Sequence, residues 1–335
     1  EGDAFNQLKL DRSIRNIRNL GFFSDVSVRN LAGSSVDQTI TEISVEEQST
    51  GELSIGIGYS SLDKSSVLFG INERNFLGTG RAVDLSFDLA KTRNNITVGL
   101  TDPYLFGRNL TGNVSVFNDK TKLNKTTATR TGFDFGIGFS AADDYFHRLG
   151  YELSQSKTTT TATNATSITG ENGKNILTSA LRYRFGQDKR DSRFDPTDGT
   201  YFQLSQQLAG LGGDAKFYKL TADVAYYRPV NFNTFVFGAK ARYGMVTGLN
   251  GEKVTQSNRF FLGGNSVRGF DSAGIGPRDT GSKAAVGGNK LMTANLEVVS
   301  DLGISRDLGL RWSVFADAGS VWDTDYPSGV TGATD

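Results

Sequence analysis

Apolar residues stand at every second position through most of this chain. Leu53, Ile55, Ile57 and Tyr59 alternate with Ser54, Gly56 and Gly58, and Val83, Leu85, Phe87 and Leu89 alternate with Asp84, Ser86 and Asp88. The pattern recurs at Ile96–Leu100, Phe133–Phe139, Leu177–Phe185, Phe202–Leu208, Tyr218–Tyr226, Phe235–Tyr243, Met292–Val298 and Leu310–Ala316, with weaker copies near Val67, Val114 and Leu149. Successive side chains of a strand point to opposite faces, so each run has one apolar and one polar face. About thirteen such strands follow the first fifty residues.

The alternation accounts for a mean hydropathy of −0.33 in a chain with 11% aromatics and 40 glycines among 335 residues. Averaging over alternate positions hides a continuous apolar face. No run approaches the roughly 18 to 20 apolar residues of a membrane-crossing helix. The 36 basic and 36 acidic side chains leave no net field for a polyanion, so no nucleic-acid partner is expected. With no cysteine and one histidine, His147, neither a disulfide framework nor a thiolate or multi-histidine metal site is available. If the strand at Leu53 runs upward, the lower links Phe76–Gly80, Pro103–Arg108, Ala142–Tyr145 and Asn231–Asn233 are compact, while the upper ones include Thr158–Lys174 and Thr247–Gly288. The expected fold is therefore all-β, a transmembrane antiparallel β-barrel rather than a soluble sandwich.

The first fifty residues are patterned differently. Leu8, Ile14, Ile17 and Leu20 have near-helical spacing, with Arg12, Arg15 and Arg18 between them and Gly21 as the stop. Phe22–Arg29 and Gln38–Glu47 then read as a hairpin turning at Ala32–Ser34. Such a helix-plus-hairpin piece is too short to bury a sizeable core alone.

Arg12–Asn16 leading to Asn19–Phe23 resembles the end of a POTRA domain. Gly56–Tyr59, Asn75–Gly80 and Thr101–Tyr104 resemble the first barrel hairpins of the BamA family of POTRA-plus-barrel outer-membrane insertases, and Asp195–Gly199 resembles a turn before mid-barrel. Phe261–Phe270, with Ile275–Pro277 and Val286–Asn289, resembles the family's sixth extracellular loop with its Val-Arg-Gly-Phe motif, here Val267, Arg268, Gly269 and Phe270. The resemblance spans essentially the whole chain. It implies the C-terminal part of a last POTRA domain at 1–48, in the periplasm, and an outer-membrane barrel at 49–335 with a long extracellular loop at 247–288. It also implies unfolded β-barrel clients, outer-membrane lipid and accessory lipoproteins as partners, and no cofactor. The family pattern of about sixteen strands and an aromatic C-terminus leads to the expectation of a fragment lacking about three strands.

Parity assigns the loop arginine a role. With Met292, Ala294, Leu296 and Val298 on the lipid face, Asn295 and Glu297 face the lumen; with Leu310, Trp312, Val314 and Ala316 outward, Phe315, Asp317 and Gly319 face inward. Confined carboxylates need a partner, and Arg268 brings a planar five-donor fork. Arg268 is predicted to enter the lumen and pair with Asp317 and Glu297, and the resemblance implies the same contact with the Phe315–Asp317–Gly319 strand.

Catalytic and metal readings are weaker. Gly210–Asp214 opens no helix and so makes a poor phosphate cradle. Asp188, Asp191, Asp195 and Asp198 do not follow EF-hand spacing and read as a solvated turn. Asp84, Asp88, Asp134 and Asp223 read as wall residues of a wet barrel, and His147 reads as a turn residue outside any triad. No enzyme activity is expected. The strand Leu53, Ser54, Ile55, Gly56, Ile57, Gly58, Tyr59 is the candidate lateral seam, since glycines supply no packing to hold it; equally, small inward residues there make room for the loop. The function expected is folding and insertion of outer-membrane β-barrels, the alternative being a translocation pore of the same superfamily, a two-partner secretion transporter or TamA-type factor.

Overall fold

The computed structural model describes residues 6–35, 38–60, 63–123, 125–142, 144–161, 171–230, 235–301, 310–325 and 330–331. It opens with α1 (Gln7–Asn19) and an antiparallel hairpin, β1 (Phe23–Ala32) and β2 (Thr39–Glu47). Gly21 ends the helix in the left-handed region at φ +68°. Arg18 in the last turn reaches over to donate to the Val26 carbonyl at 2.9 Å, fastening the helix to the hairpin.

Thirteen strands then form one antiparallel sheet: β3 (Gly51–Ser60), β4 (Lys64–Glu73), β5 (Ala82–Ala90), β6 (Arg93–Asp102), β7 (Thr111–Leu123), β8 (Thr126–Ala142), β9 (Tyr145–Thr160), β10 (Asn175–Asp188), β11 (Gly199–Gly213), β12 (Phe217–Val230), β13 (Phe235–Gly248), β15 (Lys290–Asp301) and β16 (Arg311–Trp322). Each pairs with its neighbours along the chain, an up-and-down meander with β3 at one edge and β16 at the other. The two-residue strands β14 (Arg278–Asp279) and β17 (Val330–Thr331) pair with each other outside this sheet.

The face expected to meet lipid is bare. Ile55 and Ile57 are 70% and 86% exposed, and Val98, Val116, Leu149, Met292 and Val314 are exposed on the same side. A continuous apolar band of this kind is stable against lipid and costly against water. The opposite face carries ion pairs: Arg93 with Asp88 at 3.1 Å, Arg182 with Asp134 and with Glu152, and Arg242 with Asp223. The two faces predict different tolerances. Val98→Lys should cost about 2–4 kcal/mol if the residue lies near the bilayer midplane, while Thr97→Lys on the wet side should be nearly neutral, as read by equilibrium unfolding in vesicles.

Several sequence expectations need correcting. His147 is not in a turn: β8 ends at Ala142 and β9 begins at Tyr145, so His147 is the third residue of β9 and faces outward. Its ring stacks on Phe139 at 4.9 Å, with Nδ1 2.8 Å from the Tyr183 hydroxyl. The long upper loop begins after Gly248 and covers 249–289, because Thr247 still pairs with Tyr218. Gly210–Gly213 is the end of β11. Link length divides the two ends less cleanly than the sequence suggested. Lower links 74–81, 103–110 and 189–198 exceed upper links at 91–92 and 214–216, so the asymmetry rests on 161–174 and 249–289 alone. Asn231–Asn233 and 162–170 lie outside the described residues.

Candidate functional site

The 249–289 loop folds back over the inner face of the sheet. Ser257 bonds Ser156 of β9, Asn258 accepts from Lys219 of β12, and Ser282 accepts from Lys125 beside β8. Contacts from the β7–β8 link to β16 require the sheet to curl around the loop. Its interior is organised by Arg259, whose buried guanidinium donates to the carbonyls of Val254 and Val286. Leu262, Val267, Ala284 and Val286 are buried beneath it.

Arg268 sits where the loop meets β15 and β16. Residues 264–270 close on themselves through the Gly264 N–H to the Phe270 carbonyl at 2.9 Å. That closure needs glycine at 263, where φ is +125° and a Cβ would stand 2.2 Å from the Asp271 carbonyl oxygen. The Arg268 Nε and Nη2 donate to Asp317 Oδ2 and Oδ1 at 2.7 and 2.8 Å, its Nη1 to Glu297 Oε1 at 2.8 Å, and its backbone N–H to Asp317 Oδ2 at 2.9 Å. The guanidinium carbon lies 3.6 Å from the centroid of the Phe315 ring. Asn295 Nδ2 donates at 2.9 Å both to Asp317 Oδ1 and to the Ser266 carbonyl. Asp317 thus accepts four hydrogen bonds, with a side chain only 2% exposed. A two-pronged guanidinium–carboxylate pair with both oxygens engaged is among the stronger polar contacts a protein makes.

Gly319 completes the seat. A Cβ there would stand 3.0 Å from Leu262 Cδ2 and 3.1 Å from Val267 Cγ2, so its hydrogen is what lets both side chains reach β16. Gly319→Val is expected to lift the loop and expose it to protease while β3–β13 stay folded, as followed by limited proteolysis. Phe270 is 52% exposed and contributes its carbonyl rather than its ring. The candidate seam residues Leu53 to Tyr59 all lie in β3, across the sheet from Arg268.

A cavity of ≈ 390 Å³ lies below the fork, between Arg268, Asn295 and Glu297 on one side and Asp195, Asp301 and Arg311 on the other. Arg311, at the base of β16, pairs with Asp195 in the lower turn 189–198 and with Asp301 at 3.2 Å. This second link to β16 was not anticipated. The turn is held by Asp191, which accepts from the N–H groups of Ser192, Thr197 and Asp198 and from the Thr197 hydroxyl. Those bonds, led by the Thr197 hydroxyl, lower the Asp191 pKa to about 2. A depressed folded pKa stabilises above the ordinary Asp value of about 3.9, and the effect is lost as pH falls through the folded value. The turn should therefore be insensitive to pH above about 5 and loosen below about 4, as seen in hydrogen exchange at Thr197 and Asp198. Among the described residues no group of three or more His, Asp or Glu is placed to hold a metal ion.

The family model for the Omp85 superfamily domain matches residues 75–333. The chain belongs to the Omp85 superfamily. It is 31% identical over 97% of its length to the outer membrane protein assembly factor BamA of Neorickettsia risticii, and spans 44% of that relative. A crystal structure of BamA from Haemophilus ducreyi lacking POTRA domains 1–3 shares the fold over 95% of the chain and 66% of that structure, with a TM-score of 0.82 and 22% identity. CdiB from Acinetobacter baumannii is similar more distantly, with a TM-score of 0.54 and 12% identity over 98% of the chain and 60% of that structure. The matched region covers the loop, the Arg268 fork and eleven of the thirteen sheet strands, all but β3 and β4.

Proposed function

We propose that the chain is the barrel-bearing part of a factor that folds and inserts β-barrel proteins into the bacterial outer membrane, with its helix-plus-hairpin segment, the tail of a POTRA domain, on the periplasmic side. The observation that carries this reading is the likeness over 97% of the chain to a protein named as an outer membrane protein assembly factor. A client arrives as unpaired strands, whose N–H and C=O groups are costly in a bilayer until bonded. A strand edge that can be exposed offers those groups partners one strand at a time, by β-augmentation.

The strand suited to that role is β3. Its inward face is Ser54, Gly56 and Gly58, set opposite Gly70, Leu68 and Ser66 of β4. Where a Cβ would stand on Gly56, only Leu68 lies within 4 Å among the described residues, and on Gly58 only Ser66. No loop atom uses that space, which favours a weakly held seam over a clearance for the loop. The Arg268 fork holds the loop to β15 and β16, so the far wall stays ordered while β3 moves. Lipid, β-barrel clients and accessory lipoproteins are the partners this role requires.

Depletion of the full-length protein tests the reading. General loss of outer-membrane barrels is expected; loss of a single secreted substrate, with other barrels intact, would instead identify a translocation pore.

A further inference from the structure

The inner wall holds a charge arrangement that neither the loop fork nor the seam uses. Arg148 of β9 and Arg184 of β10 stand directly opposite each other in register, on the same face. Like charges in that relation repel, and no carboxylate pairs with either one among the described residues. The nearby acids are already engaged: Asp134 by Arg182 and Asn113, and Glu152 by Arg182 and Arg130. Glycines clear the space around the guanidiniums, since a Cβ on Gly136 would lie 3.2 Å from Arg148 Nε.

Arg148, Arg182, Arg184, Asp134 and Gly150 line a recess of ≈ 70 Å³, which therefore carries a net charge of two positive units. Arg148 also borders a larger cavity of ≈ 520 Å³ that contains Arg190, Arg193, Asn113 and Tyr201. Arg193 belongs to the lower turn and its side chain is 81% exposed; Asp188, which lines the same cavity, pairs with it at 3.6 Å and with Arg190 at 2.7 Å, so Arg148, Arg190 and Arg193 face one carboxylate along an approach that leads inward from the lower end.

We propose that this recess is an anion site for a phosphate-type dianion, gripped by the Arg148 and Arg184 forks. Two unpaired guanidiniums match two negative charges and offer paired N–H donors to tetrahedral oxygens. A carboxylate carries one charge and satisfies one fork. The source is a soluble phosphoryl group rather than a lipid headgroup: β9 and β10 lie in the middle of the sheet, and the recess is on the face opposite the apolar band. Occupancy relieves the repulsion and stiffens the wall beneath the loop.

The test uses the full-length protein in a non-ionic detergent, with inorganic phosphate titrated at constant ionic strength in chloride and binding followed by calorimetry and melting temperature. Saturable one-to-one binding that raises the melting temperature is expected, with acetate at least about tenfold weaker. Arg148→Gln and Arg184→Gln should each weaken phosphate binding at least about tenfold. Each should also melt no lower than the parent in phosphate-free buffer, because repulsion has been removed; this separates loss of a site from loss of the fold. Equal binding of acetate and phosphate, phosphate binding unchanged in both variants, or binding to phosphatidylglycerol vesicles but not to inorganic phosphate would each overturn the proposal.

Discussion

Arg268→Ala is expected to release the loop and to abolish most client insertion while leaving the outer strands assembled. The reason lies in what remains behind. With the loop docked, Asp317, 2% exposed in the parent, would keep the bonds from Asn295 and from the backbone N–H of residue 268 but lose the charged fork. An uncompensated carboxylate in such a place costs about 3 kcal/mol or more. That cost falls on the docking of 249–289, since β15 and β16 hold each other through twelve register pairs from Lys290–Trp322 to Asp301–Arg311. Trypsin should then cut at Arg259, which is 4% exposed in the parent. Asp317→Asn keeps the volume and removes the charge, so it should cost less, and the double variant should lose little beyond Arg268→Ala alone. Additive losses in that cycle would mean that the two side chains do not act together.

Gly56→Val with Gly58→Val should have the second large effect, and in an informative direction. β-branched residues favour a strand by roughly 1 kcal/mol per site over glycine, and there is space for one at Gly56, where the nearest atom is 3.5 Å from the Cβ position. The variant should fold as well as the parent, keep its loop protected and insert clients at least several-fold more slowly, because the seam is stiffer. If the glycines served instead to admit the loop, the substitution would expose the loop to trypsin and leave insertion by the refolded fraction unchanged.

Parity carried most of what was legible in advance. It gives about thirteen strands and turns Asn295, Glu297, Phe315 and Asp317 inward. The Val267–Phe270 motif, on a loop long enough to fold back, and the planar fork of its arginine then singled out Arg268 as their partner. What escaped the sequence depends on closure in three dimensions. Asp195 and Arg311 are 116 positions apart, and only the curl of the sheet brings turn 189–198 under β16. The pairing of β14 with β17 involves two residues a side, too few for any periodic signal. His147 reads as a turn residue because so short a stretch separates β8 from β9 that it has no loop composition of its own, and only strand register puts the ring beside Phe139 and Tyr183. The opposed pair Arg148 and Arg184 was hidden for a related reason: two arginines on separate strands become neighbours only through register.

The central claim is that β3 is where a client strand joins the wall. A photo-crosslinking side chain placed at Ile57 of β3, with the same group at Val98 of β6 as control, measures this during insertion of an unfolded barrel protein into vesicles by the full-length factor. Both positions face outward and are exposed, so lipid contact alone labels them alike. Client adducts at position 57 that appear and decay with insertion, and none at position 98, are the predicted result; insertion that proceeds with no adduct at 57, or with equal adducts at both, would contradict the account.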